Sequence, residues 1–494
     1  MGVASVGDVN TYDWAIADQF HGRVAELRRL EDWWQEPAAS SQGLNMYGRR
    51  RVGKSWLFRR FAHGKPAIVL VADQSSPAKQ MSNLAEQIGR QVSGPRAEIR
   101  DVAELFQVLY QVTQGQQVLV VIDEFPYLLG NTKRDITSSL SSIQAVIEQY
   151  RDGSSTKFLI CGSTVSQMED IQSEGNPLHG RFDKMVVQPL PFGETRAFMP
   201  TLNVLDQFER YAVAGGMPRD LHLLCSGAWE SALTSKVVDS NSTLFNEPVT
   251  LLQSELREAN IYLAILDSLA LKPADIGAIA AGVGIESKRL SPYLENLKNM
   301  RLVGRRTPVG ADPNARAGQW QCLDHFVRFW FRFVRPYQAD LDGGSDPMAH
   351  VRGFVRKHLP EHVSVVFEDA ARRWARQAYP QAQTFGPWWG SALDAERRKG
   401  TRQTEEIDIV GLSGRKVVVA GEVKWTNQPM SFDVLRDLRT FKLPAAYQSG
   451  LKSFKDLQFV LVSKSGFNGS LSDAAESDSS VHLVDASRVL EELR

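Results

Sequence analysis

Three groups of residues in this chain have types and spacings that could do chemistry. The first is Gly48-Arg49-Arg50-Arg51-Val52-Gly53-Lys54-Ser55, which follows the pattern GxxxxGK[ST] between a predicted strand at residues 44–47 and a predicted helix, and which together with Trp56 makes the candidate nucleotide-binding segment. Glycines at both ends let the backbone curl so that successive N–H groups point inward, which suits a di- or triphosphate. Lys54 would neutralise the β- and γ-phosphate oxygens, and Ser55 would coordinate Mg2+. The second group closes that site. Residues 118–122 read as an apolar strand ending in Asp123-Glu124. Asp123 is the carboxylate that a hydrated Mg2+ needs, and Glu124 can orient or deprotonate the attacking water.

The third group lies near the C-terminus. Residues 405–410 (Glu-Glu-Ile-Asp408-Ile-Val), a turn at residues 413–415 and residues 417–424 (Val-Val-Val-Ala-Gly-Glu422-Val-Lys424) read as a hairpin. Side chains two apart on a strand share a face, so Glu422 and Lys424 project together, and the pairing can bring Asp408 beside Glu422. Two such carboxylates can hold Mg2+ on a scissile phosphate while the lysine positions or helps deprotonate a water. Trp388, Trp389 and Trp425 flank these acids and could stack on bases, although core packing is the commoner use of such residues.

Several elements must position these groups. Residues 20–34 have helical spacing, and a loop containing Pro37, Ala38, Ser40 and Gly43 leads into the strand before Gly48. Further apolar runs at residues 67–72, 118–122 and 158–161 alternate with helical stretches such as residues 82–91 and 136–150, which predicts a parallel sheet. The run at residues 158–161 ends in Gly162-Ser163-Thr164, so Ser163 is a candidate sensor of the γ-phosphate. Residues 201–256 are helical, broken once at Gly215, Gly216 and Pro218. Residues 261–306 read as three short helices and a turn, with Gly304 opening a wing, the pattern of a winged helix.

From residue 285 to 306 there are six basic residues, Lys288, Arg289, Lys298, Arg301, Arg305 and Arg306, against two acids, Glu286 and Glu295. As a DNA binder, this module would open its recognition helix with Lys288 and Arg289 and touch phosphates through Arg305 and Arg306. Its other reading is an internal regulatory arm. Breaks at residues 310–318 and 342–347 flank an aromatic run at residues 326–333. A helix at residues 363–378 and strands at residues 406–410, 416–424 and 458–462 then form a last α/β domain.

The nucleotide motifs resemble the STAND branch of AAA+-like P-loop ATPases, in particular predicted ATPases of archaea and bacteria. Phe20-His-Gly-Arg23-Val-Ala-Glu26-Leu27, Ile122-Asp-Glu-Phe125, Cys161-Gly-Ser163, Leu178-His-Gly-Arg181 and Gly215-Gly-Met-Pro218 each look like that family's counterparts. The resemblance implies a switch that is closed with ADP and opened, or assembled with further copies of itself, with ATP. It implies that Arg181 reads the γ-phosphate, that Pro218 lies against the base, and that the winged helix packs on the nucleotide domain. The C-terminal residues resemble the D…(D/E)xK signature of restriction-endonuclease-like nucleases, with Glu368 as the additional acid and Ile407 where proline is common. DNA is then the favoured substrate.

The expected fold class is multidomain α/β: a P-loop ASCE-type parallel sheet, a helical lid, a winged helix and a restriction-endonuclease-like α/β domain. The expected divisions are residues 1–200 for the ATPase domain, 201–256 for the lid, 257–310 for the winged helix, 311–350 for a linker with an aromatic helix, and 351–494 for the nuclease-like domain. A length of 494 residues fits several domains. Apolar residues at 43% and charged residues at 23% exclude fibrous and disordered classes. Basic and acidic residues number 57 each, so any nucleic-acid contact must use a local patch rather than a global field. The three cysteines, Cys161, Cys225 and Cys322, form no close pair, which fits a reducing compartment. Residues 1–20 have neither a leader-like pattern nor a long apolar run, so a cytoplasmic protein without a membrane anchor is expected.

Overall fold

The computed structural model describes residues 9–37, 42–93, 98–312, 317–393 and 404–493. The loop expected around Ala38 and Ser40, residues 1–8 and the middle of the break at residues 310–318 lie outside the described residues. The chain divides into two compact units, one of residues 1–190 with 217–219, the other of residues 191–216 with 220–494.

The first unit is built on five parallel strands: β1 (Gly43–Tyr47), β2 (Ala67–Val71), β3 (Leu119–Asp123), β4 (Lys157–Gly162) and β5 (Phe182–Val186). Their order across the sheet is β2-β3-β4-β1-β5. A strand buried on both faces reads as a continuous apolar run, because helices cover both sides of a parallel sheet. The side chains divide accordingly. Ile68, Val120, Ile122, Phe158 and Ile160 face one apolar cluster, while Val69, Leu119, Val121, Leu159 and Cys161 face the other. Strand β5 escapes the sequence pattern because it is a sheet edge, with exposed Asp183 and Lys184 at its centre. The helix Lys133–Tyr150 starts where Thr132 and Asp135 cap each other's backbone N–H groups.

The second unit begins with helices, among them Val204–Ala214 and Glu247–Glu255. Three more, Ala259–Ala270, Ile276–Val283 and Ser287–Asn299, precede an antiparallel pair, β6 (Val303–Arg306) and β7 (Gln319–Cys322). The aromatic run forms the helix His325–Phe333, in which Phe326, Phe329, Trp330 and Phe333 are all buried. That helix contributes side chains to the core of the unit. After the long helix Arg356–Ala378 comes a mixed sheet: β8 (Thr384–Ser391), β9 (Thr404–Ser413), β10 (Lys416–Lys424), β11 (Gln458–Ser463) and β12 (Val481–Asp485), in the order β12-β11-β10-β9-β8. Strands β8, β9 and β10 pair antiparallel, and β10, β11 and β12 pair parallel. Gly414, at φ 60°, makes the tight turn between β9 and β10. Among the described residues, no helix is long and apolar enough to cross a membrane.

Candidate nucleotide site and C-terminal acid cluster

Strand β1 runs straight into the loop 48–53, and the helix Lys54–Ala62 follows it. Gly48 passes so close to the Val187 carbonyl that a Cβ would lie 2.5 Å from its oxygen, and Gly53 adopts φ 96°. Both positions need glycine for the backbone to curl. Lys54 is buried, and its Nζ donates to the Gly48 and Arg49 carbonyls at 2.7 and 3.2 Å. The ammonium thus sits within the cradle of the loop, at the N-terminal end of a helix, where partial positive charge favours anions.

Strand β4 separates β1 from β3 in the sheet, yet the ends of β1 and β3 converge on one group of oxygens. Ser55 Oγ donates to Asp123 Oδ2 at 3.1 Å, pairing the hydroxyl and the carboxylate expected to share a metal. Glu124 has φ 53°, a left-handed conformation that is costly for a non-glycine residue and that concentrates at functional sites. Its Oε2 accepts from Ser163 Oγ at 3.1 Å, so the residue after β4 is joined to the acid after β3. The buried Cys161 thiol lies beside Asp123, and burial together with that carboxylate holds its pKa well above the usual thiol range. The pair of hard oxygens at Ser55 and Asp123 is a donor set that suits Mg2+.

Of the remaining predicted residues, Val52 is buried and Arg50 and Arg51 are exposed. Trp56 is exposed on the helix and meets Trp14 edge-on, with ring centres 5.0 Å apart. Pro218 lies against the loop itself, its Cγ 3.3 Å from where a Gly53 Cβ would stand. Arg181 pairs with Glu148 at 2.8 Å and donates to the Pro177 carbonyl at 3.0 Å, so these bonds engage its guanidinium on the helix Lys133–Tyr150 and on its own turn.

Arg23 is a residue of this site that sequence reasoning passed over. It is 2% exposed, and its guanidinium donates to Glu26 Oε1 at 2.7 Å, to the Gln188 carbonyl at 2.6 Å and to the Val52 carbonyl at 2.7 Å. It braces the phosphate loop from behind. Arg23→Ala would leave buried carbonyls without donors and should destabilise the first unit by about 2–4 kcal/mol while weakening ATP binding. Arg23→Lys should not rescue it, because an ammonium lacks the planar fork that spans three acceptors. Thermal unfolding with and without ATP·Mg reads both effects.

In the second unit, Asp408, Glu422 and Lys424 come together as the hairpin pattern expects, and Glu368, the acid implied by the resemblance, lies close to Asp408 and Lys424. Asp408 Oδ2 accepts from the Val423 N–H at 2.9 Å, just beyond the last ladder pair, Ile409 with Gly421. Lys424 Nζ stands 3.7 Å from Glu422 Oε2. A second cation, Lys442, is nearer, at 2.6 Å from the same oxygen. Glu422 is 1% exposed, and its Oε1 has no partner. Among the described residues, no three His, Cys, Asp or Glu side chains are arranged to hold a metal ion.

Burial, with Asp408 close by, raises the Glu368 carboxyl to about 8. The fold therefore favours protonated Glu368 relative to the unfolded chain, where it titrates near 4.5. That contribution is fully present below the unfolded value and is lost as the pH rises through about 8. Between about pH 5 and pH 9 the second unit should lose on the order of a few kcal/mol from this group, and Glu368→Gln should flatten the slope. Urea midpoints across that range provide the check.

The flanking aromatics are mostly structural. Trp425 is buried against Phe208 and Phe367, with ring centres 5.4 and 4.8 Å away, and Trp388 is buried in the core below the sheet. Trp389 carries the Arg306 guanidinium at 4.6 Å from its ring centre. Arg306 also donates to Gln319 at 3.0 Å and to Glu406 at 3.4 Å. Strands β8 and β9, through Trp389 and Glu406, thus engage the Arg306 side chain together with Gln319 of its own hairpin. Lys288 and Arg289 remain exposed.

Comparison with known proteins finds family matches to two stretches of the chain. Residues 20–224 match a family described as an ATPase domain predominantly from Archaea. Residues 330–436 match a family of archaeal and bacterial proteins of unknown function. An uncharacterized protein of Methanocaldococcus jannaschii is 25% identical over 415 residues, which are 82% of this chain and 87% of its own. A Walker-type ATPase of Pyrococcus abyssi superposes with a TM-score of 0.50 at 20% identity, over 64% of this chain and 97% of its own, and so shares the fold. The Aeropyrum pernix ORC2 protein gives a TM-score of 0.43 at 15% identity, over 69% of this chain and 99% of its own. The chain thus carries an ATPase domain of the archaeal type, on a parallel α/β core resembling P-loop ATPases, and a separate C-terminal α/β domain with a mixed sheet.

Proposed function

We propose that this chain, with its archaeal-type ATPase domain, is an ATP-hydrolysing switch that controls a metal-dependent, nuclease-like C-terminal site acting on DNA. The observation that carries the first half is the Ser55–Asp123 pair at 3.1 Å, next to the buried Lys54 that donates to the Gly48 and Arg49 carbonyls of the loop. Bound Mg2+ would neutralise charge on the β- and γ-phosphates between Ser55 and Asp123. The chain's own residues do the rest. Backbone N–H groups of residues 48–54 and the Lys54 ammonium hold the phosphates, while Glu124 orients a water in line with the γ-phosphorus and takes its proton. The bond from phosphorus to the ADP oxygen breaks as the new bond to water forms. The Ser163 hydroxyl, which rests on Glu124, can turn to the γ-phosphate and so release the acid to the water.

Support for the second half is the meeting of Asp408, Glu422 and Lys424 on adjacent strands, with Glu368 behind them. Three helices followed by a hairpin support a winged helix, and the engagement of Arg306 by Glu406 and Trp389 supports its use as an internal arm rather than a free DNA reader. An ATP-dependent assembly in which Arg181 exchanges Glu148 for the γ-phosphate of a neighbouring copy belongs to the same reading.

The deciding experiment incubates the full chain with ATP, Mg2+ or Mn2+ and plasmid, linear and single-stranded DNA and RNA, scoring phosphate release and strand cleavage together. Wild type should release phosphate and nick DNA. Lys424→Ala should keep phosphate release and lose nicking. Absence of metal-dependent cleavage on every substrate would leave the C-terminal domain as a binding platform.

A further inference from the structure

The sequence offers no role for Lys442, on the segment that crosses from β10 towards β11. Its side chain is 11% exposed, and burying an ammonium is costly unless a counter-charge meets it. Glu422 Oε2 does so at 2.6 Å, which is the separation of a direct charge-assisted bond. Lys424 approaches the same oxygen at 3.7 Å, while Oε1 of this nearly fully buried carboxylate has no partner. One oxygen is therefore shared by two ammonium groups and the other faces none, an arrangement that leaves an acceptor to fill.

Asp408 and Glu422 are faced by two ammonium groups, Lys424 and Lys442, with the Glu368 carboxyl beside them. A divalent cation bound by oxygens is attracted by negative charge, and Lys442 cancels part of that charge while it is in place. At Oε2 of Glu422 the cation would meet the Lys442 ammonium, 2.6 Å from that oxygen. Glu422 cannot easily move away, because it sits within β10 between Gly421, paired to Ile409, and Val423, whose N–H is held by Asp408. Lys442 can, on its flexible four-carbon stem.

Resting on the reading of these acids as a metal site, we infer that the Lys442 ammonium stands in for a divalent cation on Glu422, and that metal enters at Asp408 and Glu422 only when Lys442 leaves. Lys442 is then a positioning residue that sets metal affinity without itself touching the reacting atoms.

The test measures Mn2+ binding to the full chain by the electron paramagnetic resonance signal of free Mn2+, in an Asp123→Ala background that removes the N-terminal metal site. Lys442→Met and Lys442→Gln should bind Mn2+ at least about tenfold more tightly than the background chain, since a unit charge a few ångströms from the ion has been removed. Adding Asp408→Asn should erase that gain. Lys442→Gln retains an N–H donor to Glu422 and carries the comparison if Lys442→Met does not fold; a cooperative thermal transition that Mn2+ shifts upward more in the variant is the second readout. Equal or weaker affinity in folded Lys442 variants, with binding still lost in Asp408→Asn, overturns the inference about Lys442 alone. No Mn2+ binding in any of these chains overturns it together with the metal-site reading beneath it.

Discussion

Lys54→Ala should lower ATP affinity by on the order of 100-fold or more, with the chain still folded. The size of the effect follows from where the ammonium sits. It is 7% exposed and donates to loop carbonyls, Gly48 at 2.7 Å and Arg49 at 3.2 Å. When a triphosphate enters, these neutral acceptors are exchanged for charged oxygens in a largely water-excluded place, where a charge-assisted bond is strongest. Truncation removes that gain and leaves phosphate charge unbalanced. The fold loses much less, because the two bonds given up are to carbonyls of a partly exposed loop, each worth about 1 kcal/mol. Titration with a fluorescent ATP analogue, beside a thermal melt of the nucleotide-free variant, separates the two effects. Undiminished affinity would refute the nucleotide site.

Glu124→Gln should do the opposite to binding and hydrolysis. The introduced amide is nearly isosteric with the carboxylate, keeps an oxygen that can accept from Ser163, and removes one negative charge from beside the γ-phosphate, so ATP affinity should hold or rise. Hydrolysis should fall by about 10²- to 10⁴-fold, the usual contribution of a positioned general base. The left-handed backbone at φ 53° fixes the direction of the acid, so no rotation of a neighbouring side chain can easily replace it. Ser163→Ala, which frees Glu124 from its 3.1 Å bond, should have a smaller effect. Single-turnover hydrolysis with ATP binding measured in the same samples distinguishes loss of chemistry from loss of substrate. A variant that hydrolyses at the wild-type rate would move the role of base to another residue.

The parts of the molecule that were legible in the sequence are those whose chemistry is local. The loop from Gly48 to Ser55 and the strand ending at Asp123 each carry their signal within about ten residues, because a phosphate cradle needs fixed spacing along one stretch of backbone. The hairpin bearing Asp408 and Glu422 was legible for the same reason. Strand β5 was not: an edge strand needs only one apolar face, and Asp183 and Lys184 interrupt it. Arg23 lies within a family-like stretch, but its bracing role depends on carbonyls 29 and 165 positions away. Lys442 carries no local signal, because only the crossing connection between β10 and β11 brings it back to Glu422. The burial of the helix His325–Phe333 was hidden by Arg328, which is 8% exposed and satisfies its charge at the His362 carbonyl, 2.7 Å away.

Cys161 occupies the strand that lies between the phosphate loop and Asp123, and it shares with Cys225 and Cys322 the property of being buried. The folded chain should therefore resist alkylation, and any slow labelling at position 161 must pass through a transient opening of the floor beneath the triphosphate. The rate of that labelling is a built-in stopwatch for the nucleotide domain: ATP with Mg2+ should slow it, and the ratio of rates with and without ligand would give the local stabilisation without a single introduced probe.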